Sequence, residues 1–171
     1  KFNVLSGKKI TIIGGGNIGF KLGLKLVESG CNIEFVRRDM QRGILMTNVI
    51  DITKPKSTIA TAHYNSDPLQ ASLFSDVIIG CTDGIPAVSW PMIQSMKSNG
   101  IVIDVGKGTI CKDAASMATK SGISIMRCDI SSAIDGLIST IQRNKETIEN
   151  EMGRREIQTG IFIVSGGQLG K

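Results

Sequence analysis

Short apolar runs rich in Ile and Val alternate along this chain with longer stretches in which apolar residues recur every three or four positions. The short runs predict strands over 10–13, 32–36, 57–63, 76–81, 101–105 and 123–127. Several are almost continuously aliphatic, the pattern of strands buried on both faces of a parallel sheet. The intervening stretches predict helices over 17–29, about 42–50, 69–74, 89–97, 112–121 and 131–149. The second of these is the least regular, because Val49-Ile50-Asp51-Ile52-Thr53 suits an extended segment equally well. Gly30, Gly100 and Gly122 stand where a helix must close before the next strand, a position that favours glycine. Strand–helix units in series predict the α/β class: a doubly wound parallel sheet of about six strands, ordered 3-2-1-4-5-6, with helices on both faces. The last helix turns charged after Gln142, so its tail is expected to leave the sheet. No internal repeat or linker is visible, and residues 1–171 read as one domain.

The first strand runs straight into Gly14-Gly15-Gly16-Asn17-Ile18-Gly19 and then into an apolar helix. A Gly-x-Gly-x-x-Gly pattern is weak alone, but a strand before it and a helix after it make it a dinucleotide fingerprint. Gly14 then permits the tight turn, Gly16 lets backbone approach a pyrophosphate, and Gly19 lets helix and strand pack closely. The first-turn N–H groups and the positive end of the helix dipole face the phosphates.

The end of the second strand selects the cofactor. An acidic residue there accepts from a ribose 2′-hydroxyl, whereas arginine accommodates a 2′-phosphate. Here Arg37 and Arg38 occupy the place, which favours NADP; Asp39, next in line, leaves NAD open. Ligands of such sheets lie beyond the carboxyl ends of the strands, near the switch between strands one and four. The turn Cys81-Thr82-Asp83-Gly84-Ile85-Pro86 after strand four is expected along the nicotinamide ribose, and the strand-five end Asp104-Val105-Gly106-Lys107-Gly108-Thr109 at the ring. Lys107 reads as an exposed lysine, a cation steering phosphates, or a polar group near substrate. His63 is expected at the end of strand three, on the adenine side and remote from the chemistry. Asp76 is expected to cap or turn at the start of strand four, and Asp104 requires a partner if it points inward. No catalytic acid or base can be assigned.

Composition narrows the alternatives. Glycine makes up 20 of 171 residues, well above the roughly 7% usual, and it concentrates at predicted strand ends. The net charge of +5 is spread along the chain, and five Phe, one Trp and one Tyr offer little base stacking, so a nucleic-acid surface is not expected. Cys31, Cys81, Cys111 and Cys128 form no CxxC pair and share the chain with one histidine. They read as free thiols of a reducing compartment, the cytoplasm, with no metal site. No apolar run reaches the roughly 18 residues of a membrane helix.

Three stretches carry a resemblance. Leu5-Ser-Gly-Lys-Lys-Ile-Thr-Ile-Ile-Gly14, Ser75-Asp-Val-Ile-Ile-Gly-Cys-Thr-Asp-Gly84 and Gly100-Ile-Val-Ile-Asp-Val-Gly106 resemble the cofactor domains of two-domain dehydrogenases. That group includes the methylenetetrahydrofolate, shikimate and alanine dehydrogenases, dipicolinate synthase and adenosylhomocysteine hydrolase. The likeness extends in pattern over about residues 5–128, and Val-Ile-Asp-Val-Gly is closest to the folate enzymes. The phosphate loop departs from those enzymes, and none of the group's catalytic motifs can be matched. The resemblance implies a Rossmann-type domain binding NAD or NADP for hydride transfer, with catalytic residues and the small-molecule substrate held largely by a separate domain. A chain that opens on Lys1 and closes in Ile161-Phe-Ile-Val-Ser-Gly-Gly-Gln-Leu-Gly-Lys171 is compatible with excision from a longer protein, and a homo-oligomer is compatible too. Two other classes compete: a nucleotide-sensing module without catalysis, and an S-adenosylmethionine-dependent transferase, which Arg37 and Arg38 disfavour.

Overall fold

The computed structural model describes residues 4–128, 133–150 and 153–165. They divide into two compact units, Lys1–Cys128 and Asp129–Lys171. In the first unit β1 (Lys9–Ile13), α1 (Asn17–Glu28), β2 (Asn32–Val36), α2 (Met40–Thr53), β3 (Ala62–Asn65), α3 (Pro68–Ser72), β4 (Val77–Gly80), α4 (Trp90–Gln94), β5 (Ile101–Asp104), α5 (Lys112–Lys120) and β6 (Ser124–Arg127) follow in order. The six strands form one all-parallel sheet in the order β3-β2-β1-β4-β5-β6. This is the Rossmann-like α/β fold that the alternation of strand and helix patterns predicts.

Two apolar layers hold the helices to the sheet. On one face Ile10, Ile12, Ile33, Phe35, Val77 and Ile79 pack with Val27 of α1 and Ile50 of α2. On the other, Ile13, Val36, Ile78 and Val102 pack with Ala71 of α3, Met92 and Ile93 of α4, and Ala114 and Ala118 of α5. The alternation along β1 therefore serves two layers, as a strand covered on both faces requires. Thr11, fully buried, is held by its hydroxyl, which bonds the Ala71 carbonyl at 2.7 Å and Ser75 Oγ at 2.7 Å.

Three expectations change. Strand three lies over Ala62–Asn65 instead of 57–63, because Thr58 turns its hydroxyl to the Val27 carbonyl and to the Ala60 N–H, so the chain pairs with β2 only later. Residues 49–53 are helical, since Ile50 is needed in the core while Val49 and Ile52 face solvent. The predicted helix over 89–97 stops at Gln94, where the Ser95 carbonyl accepts from the Phe74 N–H and the Lys97 N–H turns to the Ser75 carbonyl.

The second unit holds α6 (Ile134–Asn150) and an antiparallel hairpin of β7 (Gly153–Gln158) and β8 (Ile161–Ser165). The predicted start of that helix at Ser131 lies outside the described residues, as does the glycine turn at Gly166 and Gly167. β7 gives no apolar alternation in Gly-Arg-Arg-Glu-Ile-Gln, so the hairpin is invisible to periodicity.

At the amino end of β4, Asp76 is buried and takes Lys97 Nζ at 2.7 Å, Lys8 Nζ at 3.4 Å and the Lys9 N–H at 3.0 Å. Burial alone would raise its pKa, but the bonds from Lys97 and Lys9 and the charges of Lys97 and Lys8 outweigh it and hold the carboxyl below its ordinary value. A carboxyl whose pKa is lower folded than unfolded stabilises the fold fully above the unfolded value, near ~3.9, and loses that contribution as pH falls toward the folded one. Asp76→Asn is expected to cost roughly 2 kcal/mol at pH 7 and to flatten part of the fall in urea midpoint between pH 6 and pH 3. A slope identical to that of the parent protein would contradict this.

Candidate functional site

The site lies at the carboxyl ends of β1, β2, β4 and β5, where the order reverses between β1 and β4. β1 hands the chain to Gly14, which has φ of +99°, a conformation that glycine adopts without steric cost. Its N–H donates to the Val36 carbonyl at 3.0 Å. The turn is so tight that a side chain at Gly14 would come within 2.8 Å of the Cys81 backbone. Gly19 lies against the same turn, and a side chain there would come within 2.5 Å of the Gly14 carbonyl oxygen. α1 consequently starts directly above the switch between β1 and β4.

Gly16, at the N-cap of α1, behaves oppositely. It is exposed, and a side chain on it would meet no protein atom within 4 Å. No side chain caps α1, and its first turn carries no acidic residue. The N–H groups of that first turn have no intrahelical acceptor, and the helix dipole adds positive charge at the same point. Asn17 and Ile18 stand exposed on this turn. Open space beside donors with no side-chain cap at the start of a helix is a geometry that suits an anion.

Beyond β2, Arg37 is half-buried and Arg38 exposed. Arg37 Nη1 donates to the Gly15 carbonyl. Asp39 is engaged as the N-cap of α2, accepting from the Arg42 N–H at 3.0 Å and pairing with Arg42 Nε at 3.4 Å. His63 sits inside β3, exposed, with Nε2 2.9 Å from Thr61 Oγ1.

The turns after β4 and β5 are bound to one another. The Gly84 N–H donates to the Gly106 carbonyl at 3.0 Å, and Thr82 Oγ1 donates to the Ile85 carbonyl at 2.6 Å. Any side chain at Gly106 would overlap the Thr82 carbonyl. Asp104, at the end of β5, accepts from the Gly108 N–H at 2.8 Å, the Thr109 hydroxyl at 2.8 Å and the Thr109 N–H at 3.3 Å. Burial opposes ionisation here, yet these bonds and the charge of Arg127 prevail and keep the carboxyl below its ordinary pKa. The clamp bends the loop so that exposed Lys107 takes φ of +58°, a left-handed conformation that costs a non-glycine residue energy and tends to mark functional sites. Cys81 is half-buried beside this clamp. Burial, then the neighbouring Cys128 and Asp104, push its thiol up to about 11, so it is neutral near pH 7 and unsuited to thiolate chemistry.

The structure thus places the residues singled out from the sequence along the carboxyl edge of the sheet: Gly14, Gly15, Gly16, Arg37, Arg38, Cys81, Thr82, Asp83, Gly84, Gly106 and Lys107 in the loops after β1, β2, β4 and β5, and Asn17, Ile18 and Gly19 in the first turn of α1. Met46 and Tyr64 were not singled out from the sequence, yet both touch Arg37: Met46 Sδ lies 3.6 Å from Nη1 and Tyr64 Oη donates to the Arg37 carbonyl at 3.1 Å. Among the described residues no cluster of His, Cys, Asp and Glu could hold a metal ion, and no helix is long and apolar enough to cross a membrane.

No protein-family model matches the sequence, and no curated protein matches it. Solved structures do share its fold. A dipicolinate synthase chain from Bacillus halodurans superposes with a TM-score of 0.57 at 20% identity, over 73% of this chain and 39% of its own. The corresponding dipicolinate synthase chain from Bacillus subtilis gives 0.57 at 13%, over 84% and 49%. The NADPH-dependent glyoxylate/hydroxypyruvate reductase from Sinorhizobium meliloti gives 0.50 at 19%, over 73% and 37%. The chain spans less than half the length of each of these proteins. The likeness to dipicolinate synthase read from short sequence stretches is therefore found again in the fold.

The contrast between Gly16 and Gly19 is testable. Gly16→Val is expected to fold with little change in melting temperature and to lose binding of phosphate-bearing nucleotides. Gly19→Ala, with backbone in the way, is expected to destabilise by about 2 kcal/mol or more. Thermal melts that rank the two variants in the reverse order would contradict the assignment.

Proposed function

We propose that the first unit is the NADP- or NAD-binding domain of an oxidoreductase that transfers hydride between the cofactor and a small-molecule substrate. One observation carries the reading: the open Gly16 and the unshared first-turn donors of α1 stand at the sheet's switch point, where a pyrophosphate is expected. Residues 14–19 would hold the diphosphate. The arginines after β2 would hold the adenosine end, and the joined turns after β4 and β5 would flank the nicotinamide ribose and ring. Asp39 is occupied in capping α2 and Arg38 is exposed, which favours the 2′-phosphate of NADP over a bare ribose. A bound nicotinamide supplies the hydride chemistry, and the protein contributes orientation and electrostatics.

The dipicolinate synthase and reductase likenesses support this reading, and their greater length supports a substrate domain outside the first unit. The free thiols of Cys31, Cys81, Cys111 and Cys128 fit a reducing cytoplasm.

Lys107 is proposed to face the reacting end of the cofactor, where a cation would favour an anionic substrate. Lys107→Gly then has two opposed effects. Relief of the left-handed backbone should stabilise the fold by about 1 kcal/mol, while turnover by the full-length protein should fall. A variant that is destabilised, or one that keeps full activity, would contradict the assignment.

The function is tested by titrating the chain with NADPH and NADH, following cofactor fluorescence, and then assaying hydride exchange with the full-length protein. Micromolar binding with turnover is expected. Failure to bind either nucleotide at millimolar concentration would refute the cofactor reading, and binding without turnover would favour a sensor.

A further inference from the structure

Gly15 is not required by the fingerprint, whose second position accepts any residue. Two side chains lie close over it. A side chain there would stand 3.1 Å from Met46 Cε and 3.4 Å from Arg37 Cδ. The Arg37 guanidinium passes across this point to donate to the Gly15 carbonyl, with Met46 Sδ 3.6 Å from the same nitrogen.

The backbone of Arg37 is fixed as well. Tyr64 Oη donates to the Arg37 carbonyl at 3.1 Å. The Tyr64 ring in turn rests on Gly43 of α2, where a side chain would come within 2.3 Å of it. One residue earlier, the Val36 carbonyl accepts from the Gly14 N–H. β2, β3, α2 and the glycine loop are thereby tied at one arginine. Arg38 stands one residue further on, exposed beside the start of α2.

We propose that the two adjacent arginines divide the work: Arg37 is a positioning residue that braces the glycine loop through Gly15 and Met46, and Arg38 alone reads the 2′-phosphate. A guanidinium committed to a backbone carbonyl has fewer donors left for a bidentate grip on phosphate. Its influence falls on the loop that serves the diphosphate, which NADP and NAD share. The binding side of this inference rests on the dinucleotide reading above, whereas the brace itself is a property of the nucleotide-free chain.

The test uses the parent chain, Arg37→Met, Arg37→Lys and Arg38→Met, each titrated with NADPH and NADH. Alongside, the exchange rate of the Gly14 amide is measured without nucleotide. Arg37→Met is expected to weaken both nucleotides by the same factor, on the order of tenfold, and to speed Gly14 exchange at an unchanged melting temperature. Arg37→Lys, which keeps a donor, should restore much of both affinities. Arg38→Met should lose on the order of tenfold for NADPH and nothing for NADH. The division is overturned if Arg37→Met weakens NADPH alone, or if it leaves both affinities and Gly14 exchange untouched. If the parent chain binds neither nucleotide, the functional reading fails and the Gly14 exchange rate by itself decides whether the brace exists.

Discussion

The backbone-on-backbone contact between the start of α1 and the turn after β1 sets everything else in place. Where Gly19 meets the Gly14 carbonyl, and Gly14 meets the backbone of Cys81, no side chain fits between helix, turn and neighbouring strand. The helix therefore begins close to the sheet, directly over the gap at which strand order reverses. Its unshared N–H groups and dipole point out of that gap. A helix held even one methyl further away would aim the same donors elsewhere, because packed interiors transmit such shifts without absorbing them. The site proposed for an anion is thus a packing result before it is an electrostatic one.

The other half of the site is built by hydrogen bonding. The turns after β4 and β5 could each adopt many conformations alone. Asp104 removes that freedom by taking two N–H groups and the Thr109 hydroxyl, and Gly106 lets the two turns touch. The carboxylate is satisfied and ionised in the process, which makes it a structural clamp and not a general base. Cys81 is neutral and Lys107 is an exposed cation at this edge. On the proposed reading, what these turns contribute is cofactor orientation and charge.

Much of this was legible in the residues. The near-continuous Ile and Val of β1, β4 and β5 mark strands covered on both faces, and the order of the sheet follows from βα units in series with right-handed crossovers. The glycine loop reads directly because Gly14, Gly16 and Gly19 each answer a steric demand at a fixed spacing. What was not legible depends on distant contacts. β3 begins late because Thr58 bonds to α1, and residues 49–53 are helical because Ile50 meets the sheet. The hairpin of β7 and β8 lacks alternation in its first strand. The close approach of Arg37 and Met46 over Gly15 has no sign in the spacing either. Sequence spacing shows what neighbours along the chain require, whereas these features answer to residues tens of positions away.

A backbone amide NMR titration of the chain with NADPH shows directly whether a dinucleotide lies with its diphosphate over Gly16 and the first turn of α1. Saturable shifts are expected to concentrate at Gly14, Gly15, Gly16, Asn17, Ile18 and Gly19, with smaller ones at Arg38, Thr82, Gly84 and Lys107. Saturable shifts that leave the glycine loop unmoved, or that cluster at the amino ends of the strands around Asp76, would contradict that placement.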